Sequence, residues 1–492
     1  MHRDLIDDVP VLWADAPGPL TAALIFGCGA RDETFRTLGV THLVEHLAMS
    51  TLPRLHHEHN AQVDLELTQF TATGRPDQVV AFLDRVCRAL ADLPVDRADR
   101  ESGVLAAEDG CAAHPTAGAL LTHRYGIQGL GLAPFSGPGP DRIPLDAVRD
   151  CAARYFHAGN AVLTLTGPPP PGLRLPLPAG DRPDRSGTQP VLVTASSWQE
   201  DTVPGPGLGV HGDLADQGLQ LAMAVLQERL REVARNQRGL SYDVSCDRAL
   251  AGPDGGDRMI HLDARDGEEQ QVAELLWQQA VLLAAEGPSA EEVAEEAEGT
   301  REFFLDPRTV ALELEFAANA ELLGWSYRSV ADRLDLLDEV TPEQVREAFA
   351  RAMDSALLVV PIGTRPGARR ADGTELPEGG CAGTAGLPAG GRTFRAPLRD
   401  RLTDAGARRA RLVVTGEGLW TRMPSGGVHH IAFADVVGVE VHTPGRVVFG
   451  RNHCVIPVMP ELFAGIGPAL TAVDEAVPAE LHYPASAFKN AD

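Results

Sequence analysis

The sequence predicts an α+β fold in which layered units of strands and helices precede a small antiparallel β unit with a C-terminal helix. Three observations carry this. Strand and helix patterns alternate along the N-terminal part of the chain, as expected of sheets covered by helices. Two passages rich in Pro and Gly, 167–190 and 367–391, interrupt the alternation and read as linkers. Beyond the second, the pattern changes to successive short strands joined by turns. A chain of 492 residues exceeds one ordinary core, so the expected units are 1–175, 190–366, a linker at 367–392 and a β domain at 393–492.

The first stretch, "VPVLWADAPGPLTAALIFGC" (9–28), reads as two strands around a Pro/Gly turn, with a helix pattern from about Leu38. A strand is expected at 62–73, where Val63, Leu65, Leu67 and Gln69 alternate with their neighbours. Residues 76–93 follow as a helix with Val79, Val80, Phe82, Leu83, Val86 and Leu90 on one broad apolar face. After the second linker, 410–423, 429–443, 445–450 and 453–458 read as short strands, closed by a helix pattern at 460–477.

Composition narrows the function. With 43 Lys and Arg against 69 Asp and Glu, the net charge of −26 disfavours nucleic acid and anionic membrane surfaces, which need clustered cations. The seven cysteines are scattered singly, with no CxxC, and read as reduced thiols in a cytoplasm. The acidic N-terminus has no apolar core of a secretory signal, and no apolar run approaches membrane-span length. A soluble, cytoplasmic protein is expected.

The chemistry concentrates in "GVTHLVEHLAMS" (39–50). On a helix, His42 and His46 are four positions apart and share a face, so two imidazoles can hold one metal ion, with Glu45 beside them. H-x-x-E-H is the inverted form of the H-E-x-x-H zinc motif. Catalytic zinc generally takes three protein ligands and keeps a fourth position open. The segment "DRADRESGVLAAEDG" supplies Glu108 as a candidate third ligand and Glu101, two helical turns earlier, as a candidate second-layer partner of a histidine N–H. Taken alone, this segment also reads as a surface helix with solvated acids. A second histidine group, His56, His57 and His59 in "HHEHN", reads as a polar loop rather than a metal site.

Taken together, these motifs resemble the M16 family of zinc metallopeptidases, the pitrilysin, insulysin and mitochondrial processing peptidase group. The family's strand, turn, strand and G-x-x-H-x-x-E-H helix match "LIFGCGARDETFRTLGVTHLVEHL"; its active-site edge strand matches "NAQVDLELTQF", with Asn60, Ala61, Thr68 and Phe70 in place. Its E-x6-E matches Glu101 and Glu108, and the R-x6-Y element of its second half matches Arg235 and Tyr242 in "RNQRGLSYDVS". Two departures stand out: the stretch from His46 to Glu108 is shorter than usual, and Val63 occupies a place where Thr is common.

The resemblance implies two similar α/β half-domains enclosing a chamber around Zn2+. It assigns His42, His46 and Glu108 as zinc ligands, Glu45 as general base, Glu101 as the partner behind a ligand, and Asn60, Ala61, Arg235 and Tyr242 as substrate-binding residues. It also implies a peptide substrate and a homodimer or a heterodimer with another M16-like subunit; the rival reading is a non-catalytic subunit or scaffold that serves an active homologue. The C-terminal unit resembles a pleckstrin-homology or GRAM-like domain in pattern, without a basic cluster for phosphoinositides. For it a docking role and simple packing are both expected.

Overall fold

A computed structural model describes residues 1–108, 113–184, 189–252, 255–381, 386–423 and 426–485. The first half contains β1 (His2–Ile6), β2 (Val9–Trp13), β3 (Leu20–Phe26), β4 (Glu58–Val63), β5 (Thr68–Gly74) and β6 (Ala161–Leu165). They form one sheet in the order β1-β2-β6-β3-β5-β4, with α1 (Val40–Met49), α2 (Pro76–Ala91), α3 (Ala98–Leu105), α4 (Pro115–Tyr125) and α5 (Leu145–Tyr155) between them. The expected strand at 62–73 is in fact a hairpin. Residues 64–67 turn the chain, and β4 and β5 pair antiparallel from Glu58↔Thr73 to Val63↔Thr68.

The second half contains β7 (Ser197–Asp201), β8 (Gly207–Gly212), β9 (Val244–Gly252), β10 (Gly255–Leu262) and β11 (Leu357–Pro361), in the order β7-β11-β8-β10-β9. Its helices are α6 (Gln217–Leu230), α7 (Glu269–Glu286), α8 (Ala290–Leu305), α9 (Val310–Leu323), α10 (Val330–Glu339) and α11 (Pro342–Met353). Strand for strand this repeats β2-β6-β3-β5-β4: one parallel pair, β2 with β6 or β7 with β11, followed by antiparallel neighbours. The halves are therefore two copies of one design. The helix that precedes the edge strand is α1 in the first half and α6 in the second.

Both faces of each central strand are covered, so β3 reads as a nearly unbroken apolar run. Ala22, Leu24 and Phe26 pack against α1, α2 and α5, while Ala23 and Ile25 face Leu314, Ala318 and Leu322 of α9. The exchange is reciprocal: Leu120 and Leu121 of α4 pack with Met259, Leu357 and Val359 of the second sheet. Each half thus lends a helix to the other's sheet. At the end of α4, Arg124 is 1% exposed, its Nε 2.5 Å from Asp257 Oδ1, with its other nitrogens donating to the Val193 and Gly209 carbonyls at 3.0 Å.

The C-terminal unit is two four-stranded sheets around one core. β12 (Arg392–Arg395), β13 (Arg411–Val414), β14 (Gly418–Arg422) and β15 (Val428–Ala432) form the first. β16 (Val436–His442), β17 (Gly445–Gly450), β18 (Val455–Val458) and β19 (His482–Pro484) form the second. Short helices α12 (Leu398–Thr403) and α13 (Ala405–Arg409) precede β13. The expected closing helix at 460–477 is shorter, α14 (Gly467–Ala476), and is not the last element: β19 returns beside β16 in parallel. Phe35 and Leu38 of the first half meet Tyr483 and Phe449, so this domain is seated on the first half.

Two further readings are corrected. The 367–391 passage is no bare tether: Leu376 is buried in the core of the second half, and Trp198 N donates to the Pro377 carbonyl. Nor are all the cysteines solitary. Cys381 and Cys454, 73 residues apart with Cα atoms 5.7 Å apart, bring their sulfurs into contact; the intervening sheet creates a proximity that spacing cannot reveal. Cys111 lies outside the described residues.

Candidate metal centre

Helix α1 starts where the sequence demands a break. Gly39, at φ 87°, sits in the left-handed region that favours glycine, and its N–H and that of Thr41 each donate to the Glu33 carboxylate at 2.8 Å. Burial pushes the Glu33 carboxyl up to about 7 despite those two donors. This anchor was missed in the sequence, because Glu33 lies six residues ahead of the N-cap position and follows no capping spacing. The apolar side of α1, Leu43, Val44 and Leu47, is fixed in the core. His42 and His46 are thereby turned the other way, their rings 4.8 Å apart.

Opposite them stands Glu108. The helix expected to carry both Glu101 and Glu108 ends at Leu105, and Glu108 follows in a turn closed by its N–H on the Leu105 carbonyl, 3.1 Å away. The shared helical face is therefore lost, but the convergence is kept. Glu108 Oε2 lies 3.6 Å from His42 Nε2 and 3.4 Å from His46 Nε2, and the three donor atoms fall within 4.8 Å of one another. Ligands about 2.0–2.1 Å from a zinc ion at tetrahedral angles stand roughly 3.3–3.4 Å apart, so this donor set fits zinc in both chemistry and spacing.

Two carboxylates flank the triad. Glu45, 6% exposed, has Oε2 3.4 Å from His42 Nε2. Burial first, and then the charge of Glu108, push its carboxyl up to about 8; a cation bound beside it would pull that value down. Glu101 is equally buried, with Oε2 3.8 Å from His46 Nδ1 and Oε1 without a hydrogen-bond partner. Burial lowers the pKa of His42, with the His46 charge adding to the effect, and so favours the neutral imidazole that can act as a ligand.

Asn60 and Ala61 lie on β4, the open edge of the first sheet, with Asn60 exposed and Ala61 partly covered. Strand β4 runs beside α1. Arg235 lies on a π-helical turn, Arg231–Gln237, that continues α6, and its guanidinium sits 5.2 Å from the ring centroid of the 77%-exposed Tyr242. The structure brings these two to each other; among the described residues no hydrogen bond or ion pair joins them to the histidine and glutamate cluster. His56, His57 and His59 do not form a metal-competent group among the described residues; His59 accompanies Phe82 and its Nδ1 is 3.0 Å from the His57 carbonyl. In the second half, α6 occupies the place of α1 but carries no histidine.

No family model matches the sequence, and no curated protein matches it. Solved structures do. The chain is similar to the peptidase M16 inactive domain from Pseudomonas fluorescens, with a TM-score of 0.56 and 16% identity over 74% of this chain and 99% of that one. Its fold is the M16 peptidase fold. A protease from Helicobacter pylori gives a TM-score of 0.56 at 13% identity, over 73% of this chain and 98% of that one. Pitrilysin gives 0.53 at 16%, over 74% of this chain but only 45% of its own length. Among the described residues, no helix is long and apolar enough to cross a membrane.

Proposed function

We propose that the chain is a zinc-dependent endopeptidase acting on short or unfolded peptides, including a dedicated precursor or leader peptide. The observation that carries this reading is the meeting of His42, His46 and Glu108 at zinc-ligand spacing with the buried Glu45 beside them. In it, residues 1–175 form the catalytic half, 190–366 the substrate-holding half, and 393–492 a pleckstrin-homology or GRAM-like docking domain. When bound, zinc supplies Lewis acidity, lowering the pKa of water toward ~7 and polarising the scissile carbonyl.

The chain does the rest. Glu45 takes the water's proton and delivers it to the leaving amine, which requires a carboxylate near the ligands but not among them. Glu101 holds His46 in the tautomer that leaves Nε2 free to ligate. The peptide lies along the open edge at Asn60 and Ala61, where main-chain pairing sets its register. Arg235 and Tyr242, from the second half, donate to the substrate backbone or the tetrahedral oxyanion. A cytoplasmic homodimer, or a heterodimer with an M16-like subunit, accords with the family.

A second reading is a non-catalytic partner subunit, favoured by the likeness to an M16 domain described as inactive. Against it stands the complete set of His42, Glu45, His46 and Glu108. The deciding experiment is metal analysis with digestion of a peptide library by wild type and Glu45→Gln. One zinc at the α1 site, with cleavage abolished by the substitution, supports the peptidase. Stoichiometric zinc without cleavage selects the partner subunit, and cleavage that persists in Glu45→Gln removes the mechanism.

A further inference from the structure

A second set of metal-type donors converges far from α1 in sequence. The Sγ atoms of Cys381 and Cys454 and an imidazole nitrogen of His429 all lie within 4.8 Å of one another, and His429 Nδ1 is 3.4 Å from Cys381 Sγ. Three separate segments supply them: the connector from the second half, strand β15, and the residue just before β18. Hydrogen bonds hold these segments in place. The connector is pinned to β7 by Trp198 N on the Pro377 carbonyl (3.0 Å) and Gly379 N on the Trp198 carbonyl (2.8 Å). The Asn452 amide donates to the His430 carbonyl at 2.7 Å and to the Cys381 carbonyl at 3.4 Å, tying two donor-bearing segments together. Gly450 N closes on the Cys454 carbonyl at 2.8 Å, and His453, at φ 61°, turns the chain so that Cys454 is buried at 2% exposure.

The geometry points to a second metal site, Cys381–His429–Cys454, that takes a thiophilic divalent cation such as zinc. Two thiolates and an imidazole are a soft donor set, chemically unlike the histidine and carboxylate set on α1, and unsuited to calcium or magnesium. A covalent sulfur pair would make no use of His429, whereas a cation needs it as third ligand. The neighbourhood gives the site its role. His453 is in ring contact with His123 of α4 at 4.8 Å, and His123 Nε2 lies 2.8 Å from Asp201 Oδ2 of β7. The two halves and the β domain meet there, so the ion ties the connector to the β domain at the point where that domain is seated on both halves.

The test uses the full chain, purified under reducing conditions, stripped of metal and reloaded with Co2+. Wild type is expected to show near-ultraviolet thiolate-to-cobalt charge transfer, which the α1 site cannot produce because it has no sulfur ligand. The band is lost in Cys381→Ser and weakened in His429→Gln but kept in Glu108→Gln, so failure here is separable from failure of the peptidase reading. Reloaded wild type without the band overturns the proposal, as does a band that survives His429→Gln unchanged. Thiol titration of chain purified separately without reductant and then denatured gives an independent readout. All seven cysteines reacting supports the site, and two fewer, restored by reductant, shows a disulfide in its place.

Discussion

Replacing Glu101 by Gln isolates the contribution of a residue placed behind the proposed zinc ligands rather than among them. The side chain is 8% exposed and its Oε2 lies 3.8 Å from Nδ1 of His46, itself only 13% exposed. A full charge pair at that separation, with an effective dielectric constant near 20, is worth about 4 kcal/mol, which sets the ceiling. Glutamine keeps the shape and a carbonyl acceptor but removes the charge, so the loss falls below that ceiling. Partners of zinc-bound histidines typically contribute 10–100-fold in metal affinity, or about 1.4–2.7 kcal/mol. The expected result is zinc binding weakened by that factor in competition with a chromogenic chelator. Peptide hydrolysis at saturating zinc stays near wild type, and Asp99→Asn, on the exposed side of the same helix, is without effect. Unchanged zinc affinity in Glu101→Gln would refute the reasoning. So would normal affinity with lost turnover, which would make Glu101 a participant in the chemistry.

Arg124→Ala leaves Asp257 buried at 2% exposure without its cation and should cost about 3–5 kcal/mol, seen as a large fall in Tm; an unchanged Tm would show that the exchanged helix α4 is not anchored there. Glu292 is bound by Arg229 at 2.6 and 2.9 Å, and that hydrogen bond chiefly depresses its carboxyl from 4.5 to about 2. Its stabilisation is therefore present above the ordinary carboxylate value and is lost as pH falls from about 4.5 toward 2. The Tm advantage of wild type over Glu292→Gln should shrink across that window and be constant from pH 6 to 8. Tyr242→Phe removes a proposed oxyanion donor and should lower kcat about a hundredfold with zinc stoichiometry unchanged; equal turnover would return Tyr242 to the surface.

The parts of this molecule legible in the sequence are those set by local pattern. Two strands around a Pro/Gly turn, the amphipathic helix α2 and the run of short C-terminal strands all follow from periodicity over a few residues. The misplaced element, the strand expected at 62–73, fails for a physical reason. Leu65 and Leu67 continue the alternation, yet they belong to the turn between β4 and β5, Leu65 packing under α4 and Leu67 toward α9. Their hydrophobicity is used by the other half's helix and by α4, not by a strand. Similarly, α3 stops at Leu105 and Ala106 and Ala107 follow in a turn, and the E-x6-E spacing alone cannot distinguish a helical face from a turn that reaches the same point.

What the sequence hides is convergence over long separations, and both donor sets show how much depends on it. The α1 histidines are legible because four residues of helix are enough to align them. Glu108 is found by motif, but its approach depends on α3 being held against α1, where Arg97 donates to Ser50 Oγ at 3.3 Å and to the Ser50 carbonyl. Cys381, His429 and Cys454 have no such local element: only the pairing of β15 with β14, the hairpin before β18 and the anchored connector bring them together. The repeat of the sheet sharpens the point. Since α6 lies where α1 lies and lacks its histidines, while the π-helical turn beyond α6 presents Arg235 over Tyr242, one topology carries the proposed metal donors in the first copy and an exposed cation–aromatic pair in the second. Among the described residues the only two convergent metal-type donor sets are His42, His46 and Glu108, and Cys381, His429 and Cys454, so the repeated helix α6 carries none of its own.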